Sequence, residues 1–352
     1  MKKSIKIISA LIVLFVAASV LGFTYFTKVF AVDNPRWAKF YEEEEGMDDG
    51  IYLGSSAAYD FWMPTKAYEK EGFCIYNLGT TVQPLCIEKY LIEEALSHQT
   101  NIKVIIIELR NLVRVEKDDM EEYIRLATDN MTLRTKRIEA IDTALAYYKS
   151  IGADINYNKW GYYYPALRAV HFSNYNITLE DLLMDPGVAI FKGYNRIKED
   201  GVTELEPPEI YEGTEPLSKE QETMLLDLLE YCKGLDQKVI FVSAPFNPVD
   251  KERDKLGEMN TACRLCEEAG FTTLNFNLEP LRSRLNMNWM TDYFDRGHAN
   301  IYGAQRFTDC LTDILSEEMS LPDHRNNPAY ESWNVETNRL NQFIEDIEKK
   351  QE

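Results

Sequence analysis

The chain has 352 residues, 45% of them hydrophobic, which is ample for a buried core and too apolar for a disordered protein. With 38 Lys and Arg against 58 Asp and Glu its net charge is -20. That balance excludes nucleic acid as a partner, because such binding rests on basic side chains neutralising phosphates.

Lys2, Lys3 and Lys6 precede an uncharged apolar run over 7–26, and roughly 20 apolar residues suffice for a membrane-spanning helix. Positive charge on the N-terminal side predicts a cytoplasmic N-terminus with the rest of the chain exported. Residues 1–31 are therefore expected to be a cytoplasmic N-terminus and single-pass signal anchor in the cell membrane. Val29-Phe30-Ala31 leaves open a cleaved signal peptide, which would make the protein secreted. Residues 32–50 are polar and acidic and are read as a stalk.

Short apolar runs rich in β-branched and aromatic residues predict strands over 51–53, 73–76, 104–107, 239–242 and 272–276. Helical periodicity separates them over 87–97, 218–233 and 252–269, and Ser218 with Gln221 has the spacing of a capping box. Strands alternating with helices predict an α/β domain over 51–322, a three-layer α/β/α fold with a mostly parallel, about five-stranded sheet. The alternation lapses over 112–213, which is read as an insertion or cap. It carries one helix over 117–150 and aromatic residues, Trp160, Tyr162, Tyr163, Tyr164 and Phe172, that either pack a core or line a groove. The polar tail over 323–352 holds an amphipathic helix from 335, whose Leu340, Phe343, Ile344 and Ile347 are expected to pack back on the domain.

Cys74, Cys86, Cys232, Cys263, Cys266 and Cys310 permit disulfides in an exported protein, but spacing assigns no pairing. Cys263-Arg264-Leu265-Cys266 lacks a second ligand pair at zinc spacing and reads as two buried cysteines on a helix face. Acidic clusters such as 42–45 and Asp118-Asp119 lack histidines at ligand spacing and read as solvated surface, so no metal is expected.

The turn after the first strand reads Leu53-Gly54-Ser55-Ser56. A serine there is either an exposed nucleophile or a helix N-cap. Serine needs a base to take its proton, and an imidazole oriented by a carboxylate does so near neutral pH. Asp295-Arg296-Gly297-His298 supplies such a pair before a C-terminal helix. His298 is one of four histidines; His98, His171 and His324 fall at a helix end, in the insertion and in the tail.

In this order the segments resemble the SGNH, or GDSL-like, hydrolase superfamily over most of the exported domain. The resemblance implies a flavodoxin-like sheet, Ser56 as nucleophile with Ser55 as the lesser alternative, and His298 and Asp295 completing the triad. It implies an oxyanion site from the backbone N–H of Ser56 and of Gly79 in Tyr76-Asn77-Leu78-Gly79, with Asn111 as third donor. The third block departs from the family's Gly-x-Asn-Asp, reading Leu109-Arg110-Asn111-Leu112, which leaves room for another donor such as Asn77.

The implied chemistry is acyl transfer through a serine ester, without a cofactor. The layout is similar to membrane-anchored proteins of envelope-polymer acylation, of the D-alanyl transfer and alginate O-acetylation types. It implies an O-acyl esterase or acyltransferase acting on an envelope polysaccharide, with a membrane acyl-donor protein as possible partner. Two alternatives stand beside it: a lipase-like or thioesterase-like hydrolase of small acyl esters, and a non-catalytic envelope scaffold that keeps the fold.

Overall fold

In the computed structural model, which describes residues 6–19, 35–114, 120–155, 162–163, 191–194, 201–249 and 252–351, the five apolar runs form one parallel sheet. The strands are β1 (Gly50–Leu53), β2 (Ile75–Asn77), β3 (Val104–Glu108), β4 (Lys238–Ser243) and β5 (Thr272–Asn275), in the order β2-β1-β3-β4-β5. Each neighbouring pair runs parallel, with Ile51 opposite Tyr76 and Ile105, and Ile106 opposite Ile240. The order reverses between β1 and β3. A sheet of this order opens a crevice at the carboxyl ends of those two strands, where ligands bind.

Because successive side chains alternate in direction, each strand feeds two buried layers. Ile51, Leu53, Ile105 and Ile107 join one cluster, and Tyr52, Val104, Ile106 and Ile240 join the other. The helices Glu88–His98, Lys219–Lys233 and Asp254–Glu268 cover the first face, while Pro64–Glu71, Ile301–Glu318 and Glu331–Gln351 cover the second. The architecture is three-layered α/β/α. The capping box forms: Ser218 Oγ accepts from the Gln221 N–H at 3.2 Å, and Gln221 Oε1 accepts from the Ser218 N–H at 2.8 Å.

Several expectations change. A helix covers residues 6–19, exposed throughout, and the rest of the apolar run, 20–26, lies outside the described residues. No helix among the described residues is long and apolar enough to cross a membrane, so the spanning anchor is without structural support. The expected stalk is largely packed: Trp37 and Phe40 of the Pro35–Phe40 helix are buried in the first cluster, and Asp48 and Asp49 are buried beside β1. Aromatic side chains one turn apart in an acidic segment bury themselves once a core surface is available.

The helix expected over 117–150 is two helices, Met120–Thr128 and Arg134–Ser150; residues 117–119 lie outside the described residues. A buried carboxylate sits at the break. Glu94, fully buried on the neighbouring helix, accepts from the N–H groups of Thr132 and Leu133 at 2.6 and 3.0 Å, so its carboxylate satisfies donors at the start of the second helix. Ile124, Ile141, Ala144 and Tyr148 share the first buried cluster, so this part of the insertion belongs to the core. Tyr162 is buried there too, while Trp160, Tyr164 and Phe172 lie outside the described residues. The tail helix starts at Glu331 and buries Trp333, Leu340, Ile344 and Ile347.

All six cysteines are unpaired, and Cys263 and Cys266 are buried on the Asp254–Glu268 helix.

Candidate active site

The turn after β1 is dictated by close approach. Gly54 has φ +142°, and a Cβ on it would stand 2.6 Å from Glu108 Cβ, so only glycine fits between β1 and β3. The chain then enters a short helix, Ser56–Tyr59, in which the cap and the exposed serine are different residues. Ser55 is the N-cap: its Oγ accepts from the Ala57 N–H at 3.5 Å and donates to Glu108 Oε2 at 3.4 Å. Ser56, at the first helical position, keeps its hydroxyl clear of the backbone and is half-buried.

Asp295 and His298 belong to a hairpin of β6 (Tyr293–Asp295) and β7 (His298–Ala299) that was not expected from sequence. Its two-residue turn, Arg296-Gly297, places Asp295 directly opposite His298, which is the geometric meaning of the Asp-x-x-His spacing. Asp295 Oδ1 accepts from the Gly297 N–H and from His298 Nδ1, both at 2.8 Å. A carboxylate only accepts, so Nδ1 carries the proton and Nε2 is left to accept. Asn300 then caps the Ile301–Glu318 helix, its Oδ1 accepting from the N–H groups of Tyr302 and Gly303 at 3.1 and 3.2 Å.

These two turns, 242 positions apart, meet: Ser56 Oγ lies 2.6 Å from His298 Nε2. The result is a continuous chain from hydroxyl through imidazole to carboxylate, the arrangement that raises serine's nucleophilicity. Ser55 is turned away toward Glu108.

The three expected oxyanion donors differ in state. Ser56 stands at the first helical position, where its N–H has no acceptor within its own helix. Gly79 packs against the serine turn, where a Cβ would meet Ala58 Cβ and Gly54 O at 3.0 Å, but its N–H already donates to Asn77 Oδ1 at 3.1 Å. Asn111 Nδ2 donates to Gln83 O at 2.7 Å. Asn77, the alternative donor, spends its amide on Ala58 O and Trp62 O, holding the Ser56–Tyr59 helix against β2.

Burial holds Tyr59 up at about 12, with its hydroxyl 2.9 Å from Thr81 Oγ1. Burial likewise pushes the thiols of Cys86 and Cys232 up to about 12 and that of Cys310 to about 11, leaving them protonated and poor nucleophiles. A cavity of about 400 Å³ lies between the Arg134–Ser150 and Lys219–Lys233 helices, beside Cys86, Tyr147 and Met224, and includes neither Ser56 nor His298.

Two side chains of the site carry no role in the sequence reading. Glu108 and Arg110, at the carboxyl end of β3, are buried directly behind both turns. Their signal in the sequence is two charges placed immediately after the apolar run 104–107, where buried charges need a specific use.

No protein-family model matches the sequence, and no curated protein matches it. Among solved structures the chain is similar to a family two carbohydrate esterase from Clostridium thermocellum, described in complex with cellohexaose, at 8% identity and a TM-score of 0.32. The match covers 78% of this chain and 65% of that one, so the chain spans under two thirds of its length.

Proposed function

We propose that the protein is a serine O-acyl esterase or acyltransferase of the SGNH kind that acts on a cell-envelope polysaccharide. The observation that carries the hydrolytic reading is the chain of contacts from Ser56 Oγ to His298 Nε2 at 2.6 Å and from His298 Nδ1 to Asp295 at 2.8 Å. The placement outside the cell rests on the apolar run over 7–26 behind three lysines. The choice of polymer rests on the layout alone.

In this mechanism Ser56 Oγ attacks the ester carbonyl while His298 Nε2 takes its proton, and Asp295 stabilises the imidazolium. The oxyanion is held by the Ser56 N–H, and by that of Gly79 once it is shared with or released from Asn77 Oδ1. Collapse expels the alcohol, protonated by His298. Water or a sugar hydroxyl, deprotonated by the same nitrogen, then attacks the acyl-serine and frees Ser56.

The test is labelling of the full-length protein by a fluorophosphonate, which reacts only with an activated serine. Labelling that disappears in Ser56→Ala, falls at least about 10³-fold in His298→Ala and survives in Ser55→Ala establishes the nucleophile. A folded wild-type protein that takes no label returns the non-catalytic reading. Release of acyl groups from acylated glycans, set against release from short-chain esters, then separates the polymer enzyme from the small-ester hydrolase.

A further inference from the structure

We propose that Arg110 is a positioning residue that locks the Asp295–His298 hairpin in register with the Ser56 turn. This rests on the reading of Ser56 as nucleophile.

The two turns share no covalent frame, and the hairpin is joined to no strand of the main sheet. Something must fix one against the other. β3 is placed to do so, as the neighbour of β1 on one side and β4 on the other. From its carboxyl end Glu108 Oε2 accepts from Ser55 Oγ at 3.4 Å and from the Arg110 N–H at 3.0 Å, which ties the serine turn to the base of Arg110. The guanidinium then reaches outward. Nη1 donates to the carbonyl of Gly297, inside the hairpin turn, and Nη2 donates to Pro245 O at 3.0 Å and Ala244 O at 3.4 Å beyond β4. Gly297 is also the residue whose N–H donates to Asp295 Oδ1, so the two peptide groups that flank its Cα are held, one by the triad carboxylate and the other by Arg110.

The buried charge of Arg110 is offset mainly by the nearby Glu108 carboxylate, but its side-chain hydrogen bonds go elsewhere. The side chain is 3% exposed, and its hydrogen bonds go to three main-chain carbonyls. Its Nε has no partner among the described residues. The guanidinium lies over the Phe61 ring at 5.7 Å and over the Phe246 ring at 5.5 Å from their centroids. Removing it would leave the buried Glu108 carboxylate without the nearby charge that offsets it, so Arg110 contributes to stability as well as to position. It also supplies a rigid fork with several donors in fixed directions, which fixes where a carbonyl sits.

The experiment uses full-length wild-type, Arg110→Met and Arg110→Lys proteins, with thermal melting, fluorophosphonate labelling over a range of probe concentrations, and proton NMR of the His298 Nδ1–H. Arg110→Met keeps the packing and loses the donors. Its melting temperature is expected to fall, because three carbonyls and the Glu108 carboxylate lose a partner, and in the folded protein the limiting labelling rate is expected to fall about a hundredfold, the scale of a 1 Å misplacement, at an unchanged half-saturating concentration. Arg110→Lys, with one donor group in place of the fork, is expected to recover only part of that rate.

A wild-type limiting rate in Arg110→Met overturns the proposal. Should that variant not fold, a wild-type rate in Arg110→Lys overturns it and a lowered rate supports it. If the wild-type protein takes no label, the hydrolase reading fails by itself and the NMR decides the brace. A low-field Nδ1–H present in wild type and lost in the variant supports it; an unchanged resonance in the variant refutes it.

Discussion

Two adjacent serines divide the work of the turn after β1: Ser55 caps the helix and binds Glu108, while Ser56 faces His298. In the sequence both roles were legible and the family resemblance put the nucleophile at Ser56 with Ser55 as the lesser alternative, but either serine satisfies a cap, and the approach of a residue 242 positions away is what separates them in the fold. Ser55→Ala is therefore expected to cost about 1 kcal/mol in thermal unfolding, the usual worth of a cap, while leaving Ser56 labelling in place. Glu88, 1% exposed behind the site, shows burial acting on a single group. Burial raises its carboxyl from 4.5 to about 8, although Gln83 Nε2 donates to Oε1 at 2.8 Å. A carboxyl whose folded pKa is raised binds more protons in the folded state than in the unfolded one, so its contribution to stability is fully present below pH 4.5 and is lost as pH rises through about 8. Glu88→Gln removes that titration. The variant's melting temperature relative to wild type should climb between pH 5 and about pH 8, and a difference that stays flat with pH would refute the assignment.

Strands and helices follow closely from periodicity wherever one element faces one layer. The runs predicted over 104–107 and 239–242 are strands at Val104–Glu108 and Lys238–Ser243, and the helix predicted over 218–233 begins at its capping box. The β6–β7 hairpin escaped because its strands are three and two residues long, too short for any period to register. The break after Thr128 escaped because the carboxylate that satisfies the next helix comes from Glu94, distant in sequence. Glycines in the serine turn and in the hairpin turn make a matched test at this scale. Gly54 combines positive φ with a neighbour that a Cβ would strike at 2.6 Å, whereas a Cβ on Gly297 would meet nothing nearer than 3.4 Å. Gly54→Ala is expected to destabilise by about 2 kcal/mol or more in denaturant unfolding, with loss of labelling, and Gly297→Ala by under about 1 kcal/mol.

Across the whole molecule, segments at both ends of the chain serve the central sheet. Trp37 and Phe40 enter the cluster on one face of the sheet, and Leu340, Ile344 and Ile347 enter the cluster on the other. Leu340 is fully buried, so Leu340→Ala should cost about 2–5 kcal/mol in chemical denaturation, as deletion from a packed core does; a cost near zero would show that the C-terminal helix is dispensable. Composition and periodicity by themselves determined the α/β class and a mostly parallel sheet of about five strands, while the family resemblance supplied the residues offered as nucleophile, base and acid. These follow from local patterns, the apolar alternation and the chemistry that a serine requires of its neighbours. Tertiary structure alone decided which serine caps and which is exposed, and that the expected stalk packs into the core. It also decided that the Gly79 N–H and one N–H of the Asn111 amide are engaged, and that Arg110 spans the two turns. Each of those depends on distances between segments far apart in the chain, and a linear pattern carries the identity of the groups but not the separation between them.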